Sequence, residues 1–102
     1  MENKQKRQPV TGIRELTPYY DTQLHDILTS KMGNVEGMIV GGRIDTKRMA
    51  DRANVCRYTV YRWFQADELG LTPAKKIINM SYDAESDTYL VTKEDLLPLM
   101  GL

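Results

Sequence analysis

Thr46-Lys47-Arg48-Met49-Ala50-Asp51-Arg52-Ala53-Asn54-Val55-Cys56-Arg57-Tyr58-Thr59-Val60-Tyr61-Arg62-Trp63-Phe64-Gln65 carries two short helical patterns joined by a turn residue. In the second pattern Val60, Trp63 and Phe64 fall at i, i+3 and i+4, a stripe that seats a helix on a core. Tyr58, Tyr61, Arg62 and Gln65 fall at i, i+3, i+4 and i+7 and share an outward face, with Arg57 at its leading end. Cys56 stands at the N-cap position and Thr59 is placed to support the first turn, although serine or threonine would cap better.

In the first pattern Thr46 reads as an N-cap before Lys47, and Met49, Ala50 and Ala53 form the buried edge of a short helix. Asn54 ends it, because asparagine tolerates the left-handed conformation of a tight inter-helix turn. Ala50 is small where crossing helices approach, and Val55 plugs the turn. Together these features write a helix-turn-helix that reads DNA. An ordinary helical hairpin with a solvated polar face is the alternative. The run from Val55 to Trp63 favours DNA, since recognition helices present such side chains to base edges and phosphates.

The chain of 102 residues allows one small domain with a modest core and little room for a catalytic cleft. No nucleophile with a base, carboxylate pair or metal cluster can be assembled, so an enzyme is not expected and no cofactor is required. One cysteine excludes an internal disulfide and, with a single histidine, any familiar zinc site. The expected compartment is cytoplasmic. The N-terminus lacks an apolar h-region and no apolar run approaches membrane-spanning length.

Formal net charge is zero, but its distribution is uneven. Residues 1–14 carry +3 and residues 15–42 carry −3. Residues 43–66 carry +4, from Arg43, Lys47, Arg48, Arg52, Arg57 and Arg62 against Asp45 and Asp51, and residues 67–102 carry −4. A protein so arranged meets phosphates with one face, and that binding weakens steeply with salt.

Residues 1–12 read as a flexible basic arm, and residues 13–102 as a single domain. Thr17-Pro18 caps a helix from about Pro18 to Met32, with Leu24, Ile27 and Leu28 as its stripe and Gly33-Asn34 as its end. Tyr19 and Tyr20 pack, and His25 lacks the partners of a catalytic base. Val35 to Val40 with Gly41-Gly42 forms a turn or short strand; no phosphate-loop pattern surrounds the glycines.

After the second helix Gly70 is a stop, and the β-rich runs 76–82 and 88–92 flank Asp83-Ala84-Glu85-Ser86-Asp87 as a hairpin. Thr72-Pro73 also fits the start of a fourth helix through Met80, with Ala74, Ile77 and Ile78 at helical spacing; the hairpin is preferred because the second run is strand-like. Thr92 caps a last helix, acidic in its first turn and shortened by Pro98. The expected fold is α+β, mainly α: a helix-turn-helix over 46–67, a C-terminal β-hairpin wing over 75–92 and a short terminal helix.

At Thr46-Lys47-Arg48-Met49-Ala50, Val55-Cys56-Arg57-Tyr58-Thr59-Val60-Tyr61-Arg62-Trp63 and Tyr89-Leu90-Val91-Thr92-Lys93-Glu94-Asp95-Leu96 the chain resembles small winged helix-turn-helix proteins of the MerR-like/excisionase group. The first half of this pattern is shared with Cro/repressor-like families; the second half is selective. The resemblance spans residues 44–100 and implies major-groove reading by the second helix, with backbone or minor-groove contact by the wing. Acids at the tip are repelled by phosphates, so only Lys75 and Lys76, at the wing's base, are assigned to the DNA backbone.

The expected function is sequence-specific binding of double-stranded DNA by a phage or bacterial transcriptional regulator, with residues 57–65 in the major groove. Arg57 and Arg62 are candidates for guanine or phosphate, and Tyr58, Thr59, Tyr61 and Gln65 for further base or phosphate contacts. Thr46, Lys47, Arg48, Arg52 and Cys56 are assigned to the backbone, positioning without specifying sequence. A homodimer is expected, through the 18–32 helix or the C-terminal apolar helix. Two other roles fit: an excisionase-like or DNA-packaging architectural factor, and a protein-interaction module that binds a partner through acidic surfaces.

Overall fold

The computed structural model describes residues 18–66 and 68–101, so the arm at 1–12 and the Thr17 cap lie outside the described residues. The architecture is α+β and mainly helical, with two separate two-stranded hairpins. The helix expected over 18–32 is two pieces, a 3-10 turn at Tyr19–Asp21 and α1 (Gln23–Lys31). Thr22 interrupts them in an extended conformation, and its side chain caps α1 by accepting the His25 N–H.

The stretch read as a turn or short strand is a complete hairpin, β1 (Ile39–Val40) and β2 (Arg43–Ile44), pairing Ile39 with Ile44 and Val40 with Arg43. Gly41 and Gly42 have φ of 61° and 80°. A two-residue turn with both φ values positive matches the twist of a hairpin and suits glycine.

Next come α2 (Thr46–Ala53) and α3 (Arg57–Gln65), joined by three residues. Asn54 is left-handed at φ 59° and ψ 46°, donating to the Ala50 and Asp51 carbonyls, and Val55 also donates to Ala50. The cap of α2 is Asp45 rather than Thr46: its carboxylate accepts from the Lys47 and Arg48 N–H groups at 3.1 and 3.2 Å. An acid there also complements the helix dipole, which frees Thr46 to turn inward as the first helical residue, 3% exposed.

The segment expected to be the first strand of a wing is helical to Met80, as α4 (Leu71–Met80), and Gly70 is its N-cap instead of a stop. Pro73 lies in the first turn, where its missing N–H breaks no helical bond, and Ala74, Ile77 and Met80 bury one edge. The second hairpin shrinks to β3 (Tyr82–Asp83) and β4 (Thr88–Tyr89), with Tyr82 opposite Tyr89. Thr92 and Asp95 form a reciprocal capping box for α5 (Lys93–Leu96), and Pro98 lies in the 3-10 turn Leu97–Leu99.

One core joins the helices and the first hairpin, with Leu28, Met32, Met38, Ile44, Met49, Val60, Ile77, Val91 and Leu96 essentially inaccessible. Ser81, also fully buried, donates to the Ile78 carbonyl at 2.7 Å and accepts the Val91 N–H at 3.0 Å, fastening the end of α4 to the returning chain. Leu24 and Leu28 of α1, and Leu96, Leu99 and Met100 at the C-terminal end, pack into this core. Of the apolar residues expected to support a dimer, Leu24, Leu28 and Leu96 are buried in this core, and Ile27, Leu97, Leu99 and Met100 are half-buried. Among the described residues no helix is long and apolar enough to cross a membrane.

Candidate nucleic-acid interface

Val60, Trp63 and Phe64 seat α3 on the core, so its other face is held outward by packing. Tyr58 is 70% exposed there, and the Arg62 guanidinium lies 5.9 Å from its ring centroid. Arg57 is exposed at the first helical position, and Gln65 is half-buried at the last. Cys56 is exposed, 3.3 Å from the Thr59 hydroxyl, and that hydrogen bond pulls its thiol below the ordinary value.

Tyr61 departs from this outward set. Its half-buried ring meets Tyr19 edge-on at 5.6 Å, and its hydroxyl accepts from Thr46 Oγ1 at 3.2 Å and from the Arg57 guanidinium at 3.3 Å. Arg57 Nε also donates to Thr46 Oγ1 at 3.2 Å. The Thr46 bond, and after it the bond and charge of Arg57, hold the Tyr61 phenol below its usual value despite partial burial. Two residues of α3 and the first residue of α2 thus form one donor-rich cluster.

The outer side of α2 is more mixed. Lys47 pairs with Asp51 at 3.8 Å, an exposed i,i+4 contact worth a few tenths of a kcal/mol, about 0.3–0.5. Arg48 lies over Gly37 (φ 76°), where a Cβ would come within 2.8 Å of its guanidinium. Arg52 does not fit the backbone role expected of it. Its Nε donates to the Met80 carbonyl and its terminal nitrogen to the Tyr82 carbonyl, both at 2.9 Å, so it caps α4 and clamps β3. Arg52→Ala is expected to lower stability by about 1–2 kcal/mol in urea unfolding, the outer bond being solvent-exposed. The salt slope of any DNA binding should stay unchanged; a fall of about one phosphate would restore the contact role.

Lys75 and Lys76 are exposed on α4, not at the base of a hairpin, because the strand that would have carried them is helix. At the β3–β4 tip Asp83 accepts from Ser86 at 2.8 Å, Tyr82 donates to Asp87, and Glu85 is exposed. The rings of Tyr82 and Tyr89 lie 5.3 Å apart on the same hairpin. Among the described residues no three His, Cys, Asp or Glu side chains are placed to hold a metal ion.

Sequence reasoning missed Arg43 and Val40 as members of this surface. The Arg43 guanidinium stacks 3.7 Å from the Tyr20 ring centroid, and Val40, opposite Arg43 in the hairpin, is 62% exposed. Gly41-Gly42 between two apolar-flanked residues was the available signal. Among the described residues no carboxylate pairs with Arg43, Arg57 or Arg62.

Behind this face His25, 4% exposed, accepts the Ile44 N–H on Nε2 at 3.1 Å while Tyr19 donates to the Ile44 carbonyl at 2.9 Å. Burial pushes the imidazole below the ordinary 6.5, outweighing the attraction of Asp26. The unfolded chain then takes up a proton first as pH falls. Stability should be full above pH 6.5 and decline below it, levelling once the native ring also protonates. Because the chain has one histidine, its C2 proton gives an unambiguous NMR titration; a midpoint at or above 6.5 would contradict the buried acceptor role. No family model matches the chain, and no curated protein or solved structure matches it.

Proposed function

We propose that the chain is a helix-turn-helix protein that binds double-stranded DNA sequence-specifically, as a regulator of phage or bacterial type, with α3 in the major groove. The observation that carries this reading is the outward face of α3, where Arg57, Tyr58 and Arg62 stand exposed on a helix fixed by its buried stripe. Guanidinium groups that pair with no carboxylate among the described residues match guanine edges or phosphates in two-pronged fashion. Lys47 and Arg48, near the start of α2, suit backbone contacts that set register. The kinship with the MerR-like/excisionase group belongs to the same proposal, with a wing cut down to residues 82–89 whose acidic tip is not assigned to DNA.

A second reading has its own observation. Tyr82 and Tyr89, 39% and 51% exposed, form an aromatic pair beside Asp83, Glu85 and Asp87, a surface suited to a cationic protein segment. Selection from a random duplex pool at low salt separates the readings. Enrichment of a defined site is expected, and a palindromic site would report a dimer as well. Failure to bind any duplex at low salt would overturn the DNA reading, while strong bending of the selected site would turn it towards an architectural factor.

A further inference from the structure

The β1–β2 hairpin precedes the helix pair and was assigned no role by the sequence, yet it forms one wall of a cleft closed by the leading ends of α2 and α3. The cleft encloses about 220 Å³ and is lined by Tyr19, Val40, Arg43, Thr46, Arg57 and Tyr61, among others. We propose that this cleft seats one backbone phosphate of the bound duplex, held between Arg43 and Arg57 with a hydroxyl of the Thr46–Tyr61 pair. The inference rests on the DNA-binding reading and adds to it a second contacting element, the hairpin.

Donor counting supports an anionic occupant. Thr46 and Tyr61 each accept a hydrogen bond from Arg57, and only one of their two hydroxyl protons lies between them. The other hydroxyl proton has no acceptor among the described residues. Arg43 brings a second positive charge, its plane set by stacking on Tyr20. Asp45 is the acid in the wall, and its carboxylate is already turned to the Lys47 and Arg48 N–H groups at the head of α2. What remains is a concave site with two guanidinium groups and a spare O–H, the chemistry that takes a phosphodiester oxygen.

The test uses the full chain and a fluorescent mixed-sequence duplex, with affinity followed from about 50 to 200 mM salt. Arg43→Gln should flatten the log–log salt slope by about 0.9 and weaken binding about eightfold near 0.1 M. Val40→Glu, at an exposed position on the rim, should weaken binding in the same direction without touching the core, and so decides the matter even if Arg43→Gln proves unstable. Both variants should leave the preference for a selected site over random duplex unchanged. Wild-type binding with slope and affinity retained in both variants would overturn the phosphate seat and leave the DNA reading standing. Absence of wild-type binding at 50 mM salt would remove both.

Discussion

Phe64→Ala is expected to lower the unfolding free energy by about 3–5 kcal/mol, read as a shift of the urea midpoint at constant slope. Phe64 is 2% exposed, with its ring centroid 5.4 Å from Tyr19 and 6.0 Å from His25. Truncation opens a cavity where α1, α3 and the Tyr19–Asp21 turn converge, and it loosens the two side chains that fix the Ile44 peptide. A domain of this size holds about 5–15 kcal/mol in all, so a large part of its stability would go. Phe64→Leu refills most of the space and should be far milder. A loss below about 1 kcal/mol for alanine would mean that α3 is not seated through this ring.

Arg62→Ala is expected to weaken binding to the selected site by about 1–3 kcal/mol, a factor of about 5 to 150, with much less effect on random duplex. Arg62 is exposed and its described contact is the Tyr58 ring, so stability should change by no more than about 0.5 kcal/mol. The measurement is a pair of fluorescence titrations at one salt concentration. Equal loss on both duplexes would assign Arg62 to phosphate and remove it from base reading.

How far these side chains were legible from sequence differs by element. The inward stripe Val60, Trp63, Phe64 and the Asn54 turn follow from periodicity and backbone sterics, both local properties, and the structure has them as read. Residues 76–80 misled because Ile77 and Ile78 suit a strand as well as a helix. The helix wins through Pro73 in its first turn and the burial of Ala74, Ile77 and Met80 together. Asp45 and Thr46 are both good caps, and only the inward demand of Tyr61 and Arg57 for the threonine hydroxyl separates them. The roles of Arg52 and Arg43 were out of reach of any local pattern. Arg52 finds carbonyls 28 and 30 residues away, and Arg43 finds its ring on the far side of α1 in sequence.

The meeting of Gly37 with Arg48 puts two constraints of unequal strength on one position. Any side chain at 37 would displace the guanidinium, and φ 76° disfavours one in any case. The guanidinium is the far end of an exposed, flexible side chain and can swing aside, whereas the backbone at 37 cannot, so the left-handed φ is the constraint that lasts. Among diverging copies of this protein, the bare backbone before β1 should be kept even where the long basic side chain on α2 is lost.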